Sequence, residues 1–537
     1  MTRSKPEREW NLLTEPILRV VTDQGTRHMN LPELMSLLGR DEIHHYEGIQ
    51  RHQEDAFHVF LSYLAGAILA RQNLADPVQS EEFWRQGMRD LTQGIGDDAW
   101  SLIVNDFTRP AFMQPPIPPE DHARLKPLGN DNVFAQASDA MDLLVTSKNH
   151  DVKRATAIRS TPDNWFYTLV SVQTMSGYYG SGKHGISRMN SGYGNRPIVE
   201  LIRSPRPGIR WQDAVVRLLA HRQNVLAETY GFDPRGLVLV WLEIWDGNTS
   251  LSLSRLDPLY IEICRRIRLR KEEACIYAFE VRSECMRIAA KELNGVVGDA
   301  WMPIDLDTGK SKSKDTQALT FSEQGLTPEK LRRIVFEDKL RLTALQKPLP
   351  TWQGRMLWMT VSVLVRGQGK TEGFHEQQVA IPPEKQPVLF GSKEEREPLS
   401  QLSRSAIEFA GRMEHRVLKP AVFTFLQGGG EGINYDRATV NAWWSRLSKR
   451  FNAFWSGEYF PWLWSVPEPI DQEAALKDWA ERLKGFAVEV LNEAKDTMPQ
   501  HSGRRFRSRS RTELVFRGLL RKNFPQSKEV EHAKPIA

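Results

Sequence analysis

The chain of 537 residues has only three cysteines, Cys264, Cys275 and Cys285, about ten residues apart and with no C-x-x-C pair. That scarcity argues against a disulfide framework or a zinc knuckle and reads as buried thiols in a reducing cytoplasm. Long hydrophobic runs are missing too: the longest, around Phe60 to Ala70, is too short to cross a bilayer. Mean hydropathy is −0.47, and the cationic opening MTRSKPEREW has no apolar segment behind it. Neither a membrane protein nor a secretory leader is therefore expected. Catalytic constellations are equally scarce. His150 beside Asp151 has no nucleophile or metal partner in its sequence neighbourhood, His375-Glu376 lacks the second histidine of a zinc-protease helix, and no H-x-E accompanies a C-x-x-C. The expectation is a protein that is not an enzyme, with no catalytic residue, no metal and no cofactor.

What is present is an ordinary globular balance, 26% charged and 40% hydrophobic, long enough for at least two domains. AFHVFLSYLAGAILARQ reads as a buried helix and EEFWRQGMRDLTQGI as an amphipathic one. RPAFMQPPIPPE reads as an extended connection, because each proline fixes φ and removes a donor. GLVLVWLEIW, Gly236 to Trp245, reads as a buried strand, and LWMTVSVLV before Arg366 as another. Beyond about Glu397 the pattern turns helical. Leu399, Leu402, Ala406, Phe409 and Met413 share one face, as do Leu476, Trp479, Leu483, Phe486 and Val490. ATVNAWWSRLSKRFNAFW and TELVFRGLLRK supply two more helical segments, and GGGEG, PWLWSVPEP and MPQHSG read as linkers. The expected class is α+β: a mixed α/β domain over 1–395, a four-helix bundle over 396–525 and a disordered tail over 526–537. The sixteen tryptophans are expected in the core.

Two glycine-rich segments invite a phosphate-loop reading. SGYYGSGKHG carries the G-x-x-x-x-G-K core from Gly177 to Lys183, but His184 stands where a magnesium-binding Ser or Thr is needed. RGQGKTEG ends in Gly369-Lys370-Thr371, but Leu364 replaces the first glycine. A P-loop-like nucleic-acid-dependent ATPase is thus the alternative function, each candidate failing at one required atom. Glycine also lets main chain approach a surface closely. Two glycine loops bearing Lys183 and Lys370 favour a polyanionic partner. So does the block GRRFRSRSRTELVFRGLLRK, with eight cations against Glu513. The block alone reads as either a solvated helix face or a nucleic-acid contact. The net charge of +5 adds little.

In order along the chain, WNLLTEPILRV, PAFMQ, LLVTSKNHD, SGYYGSGKHG, LDPLYIEICRRIRL, NGVVGDAWMPID and RGQGKTEGFHE resemble the motifs of CasA, the large subunit of the type I-E CRISPR Cascade complex. The resemblance covers nearly the whole length and ends, as in that family, in a helical bundle. It implies an antiviral, RNA-guided ribonucleoprotein whose subunit recognises a protospacer-adjacent motif (PAM) in double-stranded DNA, promotes R-loop formation and docks the Cas3 helicase-nuclease. Other Cascade subunits and the 5′ handle of the guide RNA are the implied partners.

Carried over residue by residue, Gly180 matches the minor-groove glycine loop, supported by Gly177, Gly182 and Lys183. Gln368, Gly369, Lys370 and Thr371 match a wedge that separates the first base pairs. Lys291, with Arg287 as the alternative, matches a PAM-contacting lysine. Lys148 and Asn149 match a loop that touches the guide handle and the neighbouring subunit. Arg504, Arg505, Arg507, Arg509 and Arg511 are assigned to the displaced strand or flanking duplex, with contact to a neighbouring subunit as the equal alternative for this bundle face. Tyr179 and Ser181 stand where some relatives have glycine. The zinc knuckle of some relatives is missing, and so is the Trp of their P-W-I-P opening.

Overall fold

The computed structural model describes residues 8–128, 134–142, 160–190, 194–273, 275–307, 316–322, 324–367, 370–430, 432–498 and 502–525, with only the backbone at 366, 367 and 370–372. The chain divides into two compact units, residues 1–326 with 339–378, and residues 327–338 with 379–537.

The first unit is organised by one helix that is buried nearly all round. In α2 (Arg51–Arg71) almost every residue from His52 to Leu69 is buried, which fits only a helix enclosed by other elements. Against it pack α4 (Pro162–Met175), α5 (Pro207–Ala227) and strand β9 (Leu256–Ile261). Helices α1 (Leu31–Gly39) and α3 (Glu81–Leu91) complete the helical set there, α3 showing the expected amphipathic pattern. Ten of the sixteen tryptophans are fully buried.

Small sheets surround this core. The two used below are β6 (Lys126–Pro127) with β10 (Arg266–Glu272) and β11 (Cys275–Val281), in the order β10-β11-β6, and β7 (Ile198–Ile202) with β15 (Leu357–Gly367) and β16 (Lys370–Ile381), in the order β16-β15-β7. The run Gly236 to Trp245 departs from expectation. Only Leu237–Leu239 forms strand, pairing in parallel with β9, and the chain then turns through a 3-10 segment, Val240–Leu242. Val240 and Trp241 are fully buried all the same. An apolar run reports burial, and here burial is met by a turn.

The second unit contains a bundle of four long rods. The first is α8 (Lys393–Arg412), opened by a Ser392/Glu395 capping box and continued through a π-turn, Met413–Leu418, into α9 (Lys419–Leu426). Then come α10 (Ala438–Ser465), α11 (Gln472–Thr497) and α12 (Arg505–Asn523). Helix α9 packs on α12, α10 on α11, and α11 on α8. At the centre Trp462 and Trp479 stack at 4.5 Å. Trp479 Nε1 donates to Ala406 O (2.9 Å) and the Tyr459 hydroxyl to Ser403 O (2.9 Å), tying three rods together.

Two boundaries differ from the sequence reading. The expected linker PWLWSVPEP is half helix, since α10 carries Pro461 inside it and ends at Ser465, with Phe460, Trp462 and Leu463 buried. Tertiary burial of these aromatics outweighs the hydrogen bond that proline removes. The boundary expected near 395 lies on the first turn of α8, inside the second unit. Residues 526–537, expected as a tail, lie outside the described residues.

Candidate nucleic-acid interface

The glycine segment begins where α4 stops. Thr161 and Asn164 form the capping box of that helix, and Ser176, extended at φ −77° and ψ 129°, ends it. Ile186 N donates to Ser176 O (3.0 Å), closing the base of the loop. Tyr179 N donates to Lys183 O (2.9 Å) and Lys183 N to Gly180 O (3.0 Å), closing the tip. Gly180 sits at φ +107° with open space where a side chain would lie, whereas Gly182, at φ +75°, has no room for one, because a Cβ would fall 2.5 Å from Arg282 Cβ. Gly177 is buried and its carbonyl accepts from Arg265 (2.9 Å). The Arg265 guanidinium also donates to His184 O, so one side chain, 7% exposed, spans both legs of the loop. Arg265 is fixed in turn by fully buried Gln173 of α4, whose amide nitrogen donates to Arg265 O (3.0 Å) and whose amide oxygen accepts from Arg265 N (2.8 Å).

Lys183 is not a free cation. Its ammonium lies 2.5 Å from Glu280 Oε1 on β11 and 5.8 Å from the centre of the Tyr179 ring. Downstream, Ser187 donates through its backbone N (2.6 Å) and its hydroxyl (2.9 Å) to buried Glu262. Burial pushes the Glu262 carboxyl up to about 7 in spite of Arg188 nearby.

Lys291 joins this loop in space. It is exposed on a 3-10 turn, Lys291–Leu293, and lines a cleft of about 310 Å³ together with Tyr178 and His184 of the loop, Ser250 and Cys285. The segment carrying it is strapped to its neighbour by Leu251 N to Arg287 O and Ala289 N to Leu251 O, both 2.8 Å. Arg287, the alternative to Lys291, is placed otherwise. It is 3% exposed, and its guanidinium donates to Glu243 O (3.0 Å) and Ile244 O (3.3 Å) beside the Trp245 ring. Burial pushes it down to about 10. Its guanidinium is held on backbone carbonyls inside the protein and is not presented to a ligand.

Strands β15 and β16 form a hairpin around positions 368 and 369. Gln368 and Gly369 themselves, and the side chains of Lys370 and Thr371, lie outside the described residues. The ladder of β15 with β7 runs from Trp358↔Ile202 to Ser362↔Ile198 and stops. The last five residues of β15, 363–367, therefore extend beyond β7 by ~16 Å of strand. The stem is anchored on α2. Ser362 Oγ donates to Asp55 (2.5 Å), Arg51 grips Glu376 with two nitrogens, one at 3.0 Å, and the His52 and Phe374 rings meet at 6.4 Å. Asp142 accepts from Gln53 and contacts His52, each at 2.9 Å, so the start of the segment leading to Lys148 and Asn149 meets the same helix turn. Lys148 and Asn149 lie outside the described residues. Under the hairpin, burial raises the Glu200 carboxyl, but Arg210, His58 and Arg217 more than offset this and hold it below the ordinary carboxylate range.

In the second unit, Arg504, Arg505, Arg507 and Arg511 are exposed at the start of α12. Arg509 is half-buried and pairs with Asp496 (2.9 Å). Phe506 among them is 85% exposed. Gly429, at φ +70°, lets the segment after α9 approach this helix start, because a Cβ there would fall 3.0 Å from Ser508 Cα. Cations in a first turn oppose the helix dipole, so local stability is not what these arginines serve.

The phosphate-loop alternative meets a structural objection at both segments. A working loop joins a strand to the helix that follows. The 177–184 loop follows a helix, and among the described residues no α-helix stands between it and β7. In RGQGKTEG the described residues on both sides of 368–369 belong to strands, β15 and β16, and not to a strand and a following helix. Among the described residues no group of three His, Cys, Asp or Glu side chains could hold a metal ion, and no helix is long and apolar enough to cross a membrane.

Sequence reasoning missed Arg265, Gln173, Glu280 and Arg282. Glu280 and Arg282 lie in a strand and its continuation with no motif of their own. The pair of arginines at 265 and 266 within LDPLYIEICRRIRL was the one available hint.

No protein-family model and no curated protein matches the chain. Solved structures do. CasA from Thermus thermophilus aligns at a TM-score of 0.64 and 15% identity over 96% of this chain and 100% of that one. Thermobifida fusca Cse1 aligns at 0.63 and 15% over 97% and 99%, and a chain of a CRISPR RNA-guided surveillance complex at 0.55 and 12% over 95% and 99%. At such identities the likeness is one of fold. The chain has the CasA fold, a mixed α/β unit followed by a helical bundle, along almost its entire length.

Proposed function

We propose that the chain is the large, non-catalytic subunit of a type I-E CRISPR RNA-guided surveillance complex, and that it reads a PAM in double-stranded DNA. The observation that carries this reading is the shared cleft of the glycine loop and Lys291, two segments more than a hundred residues apart, on a fold similar to CasA from end to end. The loop is narrow, glycine-tipped and braced from behind, which suits main chain entering the minor groove. That groove presents a degenerate donor and acceptor pattern, so tolerance of several motifs is expected. Gln368, Gly369, Lys370 and Thr371, on a hairpin reaching past its sheet, serve as the wedge. Unstacking a step costs a few kcal/mol, and a stem locked to α2 keeps the finger from yielding instead. Lys148 and Asn149 contact the guide handle and the neighbouring subunit, and the Arg504 to Arg511 face follows the displaced strand or flanking duplex. Cytoplasmic assembly with the other Cascade subunits and recruitment of the Cas3 helicase-nuclease complete the role.

Gly180→Asp tests this reading. It adds bulk and negative charge at the loop tip, at a φ that side chains disfavour. Guide-loaded complex carrying it should lose about 100-fold in affinity for motif-bearing duplex, in line with the 1–3 kcal/mol of a lost base contact plus charge repulsion. Unchanged affinity in a filter-binding assay would remove the loop from the site.

A further inference from the structure

The glycine loop rests on a segment that this function leaves without a role, Glu280 to Ser283 at the end of β11. Ser283 N donates to Gly182 O (3.1 Å), and the stem of Arg282 fills the space beside Gly182. Glu280 holds the Lys183 ammonium in a pair whose side chains are only 19% and 23% exposed. Exposed Glu284 lines the cleft that Lys291 also lines. Lys183, at the heart of the candidate loop, thus stands against a carboxylate. A site meant to hold any DNA would leave its cations bare, since phosphate neutralisation and counterion release supply most sequence-independent affinity. Carboxylates beside a reading loop act the other way, repelling a backbone that arrives in the wrong register.

We propose that Glu280 is a specificity-determining residue of this site. It occupies Lys183 in the free protein and yields the ammonium to a phosphate only when the loop is fully seated in the minor groove. Lys183 then adds little to the binding of duplex without the motif. The proposal rests on the reading of the loop as the PAM reader.

The test uses guide-loaded complex with the full chain, on duplexes with and without the motif, across a salt series. Glu280→Gln keeps the shape of the side chain and removes its charge. Motif-free duplex should then bind about fivefold tighter at about 0.15 M salt, with the salt slope steeper by ~0.9, the signature of one added phosphate contact. Motif-bearing duplex should gain less, so discrimination falls. The gain should vanish in Glu280→Gln/Lys183→Met. An unchanged slope and motif-free affinity would overturn the proposal, as would weaker binding to both duplexes at an unchanged slope, the mark of a residue that merely supports the loop. Gly180→Asp, run in parallel, separates the two ideas. If it leaves discrimination intact, the loop reading fails. If it abolishes discrimination while Glu280→Gln does nothing, the role of Glu280 alone fails.

Discussion

The two cationic regions of this molecule are built on opposite plans. At the glycine loop Lys183 is paired with Glu280, Lys291 shares its cleft with Glu284, and the main chain is held from behind by Arg265. At the start of α12 four arginines stand exposed, and residues 503–512 hold no carboxylate. Under the proposed reading, a lysine already paired as Lys183 is lends little to a passing phosphate, and the first region discriminates by shape. Exposed arginines attract any polyanion, and under the same reading the second region supplies affinity without sequence.

Replacing Arg504, Arg505, Arg507 and Arg511 by glutamine should break that contrast most visibly. Affinity for every duplex should fall at least tenfold and the salt slope flatten by up to ~3.6, ~0.9 for each lost phosphate contact, with motif preference retained. A variant that binds normally but prefers a different motif would invert the comparison. Arg265→Met sharpens the other side. Two loop carbonyls lose their donor, at about 1–3 kcal/mol in loop stability, so motif-bearing duplex should bind roughly tenfold more weakly while the salt slope stays put. A flattened slope would mean that Arg265 meets phosphate directly.

The smallest effect on binding is expected from Glu262→Gln, whose readout is stability. With the folded carboxyl at about 7 and the unfolded one near its ordinary value, the folded state holds the extra proton between those limits. Stability from this group is therefore full below about pH 4.5 and lost as pH rises through about 7. Thermal or denaturant unfolding of wild type and variant should diverge across that window by an amount on the order of 3 kcal/mol, the variant gaining as pH rises. Parallel curves would show that Glu262 ionises freely in the fold.

Legibility differed between the two units for physical reasons. The bundle could be read because helix faces repeat every three to four residues. Leu399, Leu402, Ala406, Phe409 and Met413 lie on one rod, and Trp479, Leu483 and Val490 line another. Its errors were at proline, where Pro461 lies inside a helix that aromatic burial sustains. In the first unit α2 was plain from its unbroken apolar run, but the strand expected at Gly236 to Trp245 shrank to three residues. The glycine loop was visible as composition alone. Its braces were invisible, because Gln173, Arg265 and Glu280 reach it from up to about a hundred residues away.

The amino-acid sequence by itself determined the helical rods, the first strand of the hairpin and the places where only glycine can turn, since these follow from side-chain periodicity and backbone sterics within a few residues. Only the tertiary structure decided which cations are satisfied internally and which are left exposed. It put Arg287 on buried carbonyls, Lys183 on Glu280 and Lys291 at the edge of the loop's cleft, because an ion pair depends on distance in space and the chain order does not encode that distance.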